Sequence, residues 1–292
     1  MDHIRRKQMK KAIIAIIIAI LLIAAGGVIC GVTFVGMGSS FEAMNFAEME
    51  TDTMKVTEAF TDIEVTADTG NVTIKRVKDP DCTVERYQDK KAPFEVSVKN
   101  GTLVISQKER DNIPWYERIG LLADMPKVVI SLPSKDYGIF TATTDTGMIS
   151  VEGKLSPESM SLTSDTGEIH IFRMECKGEL FADTDTGNIE IDDVTCNKLR
   201  IRGETTNIGL ENVIATGDFD IVTNSGNIRF EECDAESITA KTDTGSITGT
   251  LLSRKRFEAK TDTGSVVVPK DTDGGLCRLN TDTGDIRISI GD

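Results

Sequence analysis

From about residue 140 onward, apolar and polar residues alternate with period two, break at a glycine, and resume the alternation beyond it. The break carries a signature. Asp-Thr-Gly recurs at 68–70, 145–147, 165–167, 185–187, 243–245, 262–264 and 282–284, with Asn224-Ser225-Gly226 as a variant. From Gly147 the intervals are 20, 20, 39, 19, 19 and 20 residues, so one unit hides inside the 39, at Thr205-Thr206-Asn207-Ile208, without its glycine. Seven residues before each break stand Phe140, Met160, Leu180, Leu199, Phe219, Ile238, Phe257 and Cys277. Two residues after it stand Ile149, Ile169, Ile189, Ile208, Ile228, Ile247, Val266 and Ile286. Alternation on both sides of a turn predicts two short strands with one buried face. Repetition at constant length predicts that each unit stacks on the next, since none could bury its apolar face alone. The fold class is therefore all-β: a parallel β-solenoid of 19–20-residue rungs. Helix is excluded, because no i, i+3, i+4, i+7 stripe is sustained.

The first corner, at Gly70, obeys the same rule, with Ile63 and Val65 before it and Val72 and Ile74 after. Between Gly70 and Gly147 the chain leaves the strict repeat but still reads as strands, at 82–86, 94–98, 103–106 and 128–132. Residues 56–140 thus form an irregular N-terminal β region with the first rung, and 141–292 the regular solenoid. Stacked in chain order, Phe219, Ile238 and Phe257 follow one another in a column. The final rung then ends the coil as an open sheet edge, where self-association is expected.

The N-terminal segment differs in kind. Residues 1–11 hold Arg5, Arg6, Lys7, Lys10 and Lys11, and no charge follows between Ala12 and Phe41. The 24 residues 12–35 would reach about 36 Å as a helix, enough for a hydrocarbon core of about 30 Å. Basic residues on the N-terminal flank predict a single-pass signal-anchor, with that end cytoplasmic and the solenoid outside. A cleaved signal peptide is the rival, but its apolar core is shorter, about 7–15 residues. Residues 36–55 read as a linker.

Net charge is -14, from 33 basic and 47 acidic residues. Beyond the basic tail it deepens to -18, with 28 basic against 46 acidic residues. That balance excludes nucleic acid as a partner, because phosphate backbones are bound through clustered Lys and Arg. His3 and His170 are the only histidines, which leaves little for a His-based triad or a zinc site. Asp-Thr-Gly is also the aspartic-protease tripeptide, but such a site needs two loops converging on one point, whereas stacked rungs set aspartates in a line. As a turn, the tripeptide supplies an Asx acceptor and a glycine with positive φ. The inward Thr144, Thr184, Thr223, Thr242, Thr261 and Thr281 are placed to hydrogen-bond along their column. A third reading is a cation ladder. Asp145, Asp165 and Asp185, then Asp243, Asp262 and Asp282, would lie about 4.8 Å apart and attract divalent cations, calcium by ligand type. Of the six cysteines, Cys30 belongs to the anchor, Cys176 and Cys196 share a column and are the one pair with a geometric case for a disulfide, and Cys82, Cys233 and Cys277 read as small buried thiols. Trp115 and Tyr116 lie in an aromatic loop, either folded over the coil's end or exposed to meet a partner or the outer membrane face.

The opening Phe60-x-x-Ile63-x-Val65, the Asp-Thr-Gly-x-[Ile/Val] corners, Gly101-Thr-Leu103-x-Ile105 and Val128-x-Ile130-x-Leu132-Pro133 resemble the bacterial putative-adhesin family and its head-GIN-like relatives. The resemblance covers about Phe60 to Ile290. It implies a right-handed solenoid at the cell surface and carries no catalytic residues. The leading expectation is a non-enzymatic, membrane-anchored binding, adhesion or envelope-sensing accessory protein, partnered by envelope proteins or wall polymers. Two alternatives stay open: a carbohydrate-active β-helix enzyme, and a self-associating scaffold.

Overall fold

The structure, a computed structural model, describes residues 48–108, 125–270 and 273–291, with scattered positions between 23 and 36. The chain separates into two units, residues 1–47 with 112–124, and 48–111 with 125–292. In the first unit the described residues, Ile23, Gly26 to Val28, Gly31, Val32 and Gly36, are helical and exposed. Among the described residues no helix is long and apolar enough to cross a membrane. Most of the expected span 12–35, including Cys30, and the tail 1–11 lie outside them, so the membrane helix has no structural support. Trp115 and Tyr116 also fall outside the described residues.

The second unit is all-β and solenoid-like, with two long parallel walls meeting at the glycine corners. The first wall runs β2 (Asp62–Thr69), β8 (Tyr137–Thr146), β10 (Pro157–Thr166), two passes of the long β11 (Ile169–Ala215), β12 (Asp218–Ser225), β14 (Ser237–Thr244), β18 (Gly275–Thr283) and β16 (Lys255–Thr263). The second runs β3 (Asn71–Arg76), β9 (Ile149–Leu155), three passes of β11, β13 (Ile228–Cys233), β15 (Ile247–Leu251), β19 (Ile286–Ile290) and β17 (Val266–Val267). Equivalent positions pair in register, Phe140 with Met160, Met160 with Leu180, and Leu199 with Phe219. All five are buried. Each such side chain stabilises by about 1.5–3 kcal/mol when removed from water, and only stacking removes it.

A third side closes each rung. Six residues past the corner the backbone turns through the left-handed region, at Gly153, Arg173, Asp193, Asn212 and Glu232. The next inward residues, Met174 and Cys176, Val194 and Cys196, Val213 and Ala215, Cys233 and Ala235, are buried. The rung after Gly245 lacks that turn. There the register shifts so that Cys233 pairs with Leu251, which is buried while Leu252 is exposed. Counting seven from the glycine assigns Leu252 to the core; the missing turn residue moves the place back by one.

At the N-terminal end β6 (Thr102–Gln107) and β7 (Lys127–Leu132) lie outside β2 and β3, parallel to them. Antiparallel strands complete that end: β5 (Phe94–Lys99) on β6, β4 (Cys82–Asp89) on β7, and β1 (Met49–Val56) on β4. β1 falls partly in the stretch read as linker. Its residues are mostly exposed, so no apolar alternation marks it; the ladder to β4 and the pairs Arg86–Asp52 and Lys90–Glu48 hold it.

The other end differs from the sequence expectation. The C-terminal rung is not last. β18 pairs with β14 on one side and β16 on the other, and β19 lies between β15 and β17. The free edge is therefore β16 with β17, not the final strands of the chain. Phe257 does not follow Ile238 in the column; Cys277 stands between them. Phe257 and Ala259 are only partly buried, and Val266 and Val267 are 41% and 59% exposed, as fits a rung with a neighbour on one side.

Candidate functional site

The repeated corner is an architectural device before it is a site. A Cβ added at Gly187 would sit 2.0 Å from the Gly167 carbonyl oxygen, and one at Gly245 would sit 1.9 Å from that of Gly226. Successive corners thus touch backbone to backbone, and only glycine permits the approach. The hydroxyl three residues earlier satisfies the same carbonyl. Thr184 Oγ1 donates to Gly167 O at 3.0 Å, Thr242 to Gly226 O at 2.9 Å, Thr261 to Gly284 O at 2.9 Å and Thr281 to Gly245 O at 2.8 Å. Thr144 and Thr223 bond likewise, to Gly70 O and Thr206 O. The expected hydroxyl column is real, and its acceptors are the corner carbonyls.

Outside the corner runs the acidic column. In spatial order it reads Asp68, Asp145, Asp165, Asp185, Glu204, Asn224, Asp243, Asp282 and Asp262, because the strand order places Asp282 before Asp262. The carboxylates face solvent or are half-buried. Lys241 reaches Asp243 at 2.8 Å and Lys260 reaches Asp262 at 2.9 Å. Beside this column Asp183 is held above the ordinary carboxylate range, first by partial burial and then by the negative charge of Asp185. Among the described residues no three His, Cys, Asp or Glu side chains converge where a metal ion could be held. The six aspartates expected to form a cation ladder are brought into one line, with Glu204 and Asn224 between Asp185 and Asp243.

The second wall carries a polar ladder that the sequence reading passed over. Directly after the corner, Asn71 accepts from Met148 N at 2.8 Å, Asn207 from Asn227 N at 3.0 Å, Asn227 from Ser246 N at 2.9 Å and Asp285 from Ser265 N at 2.8 Å. The recurring Asn after glycine was its signal. Cys82, Cys176, Cys196, Cys233 and Cys277 are buried and free, with Cys176 and Cys196 unbridged. Burial pushes the Cys82 and Cys233 thiols up to about 11 and those of Cys196 and Cys277 up to about 12. Such thiols pack and do not react.

Two clefts follow the left-handed edge. The larger, about 760 Å³, is lined by Arg76, Lys78, Asp79, Ser134, Lys135 and Lys154 among others. Its neighbour, about 420 Å³, lies along Arg173, Met174, Asp193 and Asn212. Neither was foreseen: the first brings residues 76–80 to 133–154, and the second follows turns that no glycine marks.

Solved structures share this architecture. One, described as a putative adhesin from Bacteroides fragilis NCTC 9343, is 17% identical with a TM-score of 0.52, covering 83% of this chain and 97% of its own. Another, described as a putative lipid binding protein from Parabacteroides distasonis ATCC 8503, is 15% identical with a TM-score of 0.54, covering 84% and 98%. At such identities the likeness is one of fold. Among curated proteins none matches the chain. The model of the Toastrack DUF4097 family matches residues 60–275, from the strand before the first corner to the start of the last rung. That span takes in both walls and most of the repeating corners, and by it the chain belongs to the Toastrack DUF4097 family.

Proposed function

We propose that this protein is a membrane-anchored, extracytoplasmic β-solenoid that works by binding, as an adhesive or envelope-sensing accessory protein. The observation that carries the reading is the outer surface of the walls. Side chains of one kind recur there rung after rung, in an acidic column and an Asn/Ser/Asp ladder, both fixed by main-chain pairing. A rigid surface with a spacing of about 4.8 Å suits a repetitive partner, such as a wall polymer or another envelope protein. The negative column also gathers divalent counter-ions through its summed field, without a coordinating cage. The binding names given to structures of this fold support the same class.

The anchor rests on the uncharged run 12–35 behind five basic residues. A glycoside-cleaving alternative fares worse, since that chemistry uses two facing carboxylates and the larger cleft is lined by one, Asp79, among four cations. The test is protease shaving of intact cells that express the full chain, followed by alkaline extraction of the membranes. Solenoid fragments released from outside, with the N-terminal piece retained in the washed membrane, are expected. Full protection until the cells are lysed would remove the adhesive and sensory readings together.

A further inference from the structure

We propose that the cleft between Arg76, Lys78, Lys135 and Lys154 is a binding site for a phosphate ester. Charge is the first argument. In this acidic protein, basic side chains are commonly matched to carboxylates: Lys177 to Asp136 and Glu158, Arg202 to Asp220, Lys255 to Asp234, Arg278 to Glu258. The four cations of the cleft have no carboxylate partner among the described residues. Arg76 donates instead to the Lys154 carbonyl at 3.3 Å and to Ser134 Oγ at 2.8 Å. Lys135 donates to the Phe60 carbonyl at 2.6 Å, with its ammonium 4.2 Å from the centre of the Phe60 ring. The one carboxylate in the lining, Asp79, accepts from the main-chain N–H of Asp81 at 2.9 Å and so serves its own turn. Four cations gathered about the single carboxylate of Asp79 leave the cleft with an excess of positive charge, and an anion between them relieves their repulsion.

Shape is the second argument. Four of the five left-handed turns on this edge use Arg, Asp, Asn or Glu; the one beside the cleft uses Gly153. A Cβ there would stand 3.0 Å from Cβ of Arg76, so the glycine leaves room for that side chain to lie across the edge. Arg76, at the end of β3, opens with residues 77–80 onto a cleft whose other walls are residues 133–135, which follow β7, and Gly153 and Lys154 of β9, in a space of about 760 Å³. That is too roomy for a bare ion. A planar guanidinium beside three ammonium groups matches the several oxygens of a phosphate. Val77, Pro80 and Pro133 offer apolar surface for the organic part of an ester. The site stands on charge and shape alone and is independent of where the solenoid resides in the cell.

The shared chemistry is a phosphate ester, whether a lipid headgroup or a soluble or polymeric phosphate. The test is calorimetric titration of the full chain, held in uncharged maltoside micelles at low salt. The probes are inorganic phosphate, glycerol 3-phosphate and monomeric dihexanoyl phosphatidylglycerol. Saturable binding is expected, at least 10-fold weaker in Lys78→Gln/Lys154→Gln and unchanged in the charge-matched control Lys99→Gln/Lys270→Gln, with equal Tm for all three unliganded proteins. Tighter binding of the lipid analogue than of glycerol 3-phosphate assigns the source to a headgroup; the reverse assigns it to a soluble ester, and either supports the site. No saturable binding of any probe by the unmodified chain, or equal affinity in the cleft and control variants, would overturn it.

Discussion

Thr206 shows most sharply what the corner requires. It stands where other rungs have glycine, and its own backbone carbonyl still meets the next corner, 1.9 Å from where a Cβ on Gly226 would lie. Its side chain is buried, and its hydroxyl donates to Thr184 O at 2.8 Å. Room for it comes from Gly203, three residues earlier, where other rungs place the inward threonine; a Cβ at 203 would come within 2.5 Å of Thr206 Cβ. The two residue types have exchanged places, and the hydroxyl takes the Thr184 carbonyl in place of a corner carbonyl. Gly203→Ala is therefore expected to destabilise by about 1–3 kcal/mol through overpacking. Adding Thr206→Gly should recover much of the loss, a coupling of about 1–3 kcal/mol in a double-mutant cycle read by urea denaturation. Additive effects would mean that the exchange has no steric basis. The motif was legible in the sequence at this scale, but half of its reason was not. Alternation put the threonines inward, whereas backbone contact between corners depends on a rung spacing that only the stacked structure reveals.

Within a rung, the third side was the hardest part to read. Its turn uses Arg173, Asp193, Asn212 and Glu232 at positive φ, where only Asp193 and Asn212 are of the types that favour it, so the sequence marks the bend weakly. Beyond the turn the column is built of Met174, Val194, Val213 and Cys233, then Cys176, Cys196, Ala215 and Ala235. Small thiols suit a narrow space, and burial there raises their pKa, to about 12 for Cys196 and about 11 for Cys233. A thiol raised in the folded state holds its proton after the unfolded chain, titrating near 9, has lost it. The folded form then binds more protons, and stability falls as pH rises. Urea midpoints should stay level to about pH 8 and drop from about pH 9 through 11, each buried thiol adding a slope of up to about 1.4 kcal/mol per pH unit. Cys196→Ala should flatten that decline. A decline equally steep in the variant would show that alkaline loss comes from elsewhere.

Across the whole molecule both ends of the coil are tucked in. β2 and β3 lie between the outer β6 and β7 and the next rung, β8 with β9. β18 and β19 lie between β14 with β15 and the outer β16 with β17. The rung period, the inward columns and the glycine corners are all visible in the sequence; the order of the last rungs is not. Residues 255–264 and 275–284 present the same pattern, apolar at alternate places and ending in Thr-Asp-Thr-Gly, so either would fill the place next to β14. Their surroundings then differ: Cys277 and Leu279 are fully buried inside the stack, while Phe257 and Ala259 lie at the open end and are only partly buried. Tucking moves the open edge from β18 and β19 to β16 and β17, where a free strand invites pairing with another molecule. The order is testable through outward positions. Thr239 pairs with Arg278, and Arg278 with Glu258. Paired Cα atoms on neighbouring parallel strands are about 4.8 Å apart, within disulfide range, whereas Thr239 and Glu258 are two rungs, or about 9.6 Å, apart. Mild oxidation should therefore bridge Thr239→Cys/Arg278→Cys and leave Thr239→Cys/Glu258→Cys open, a contrast that the buried native thiols do not disturb. The reverse result, with 239 joined to 258, would restore stacking in chain order and return the open edge to the final strands.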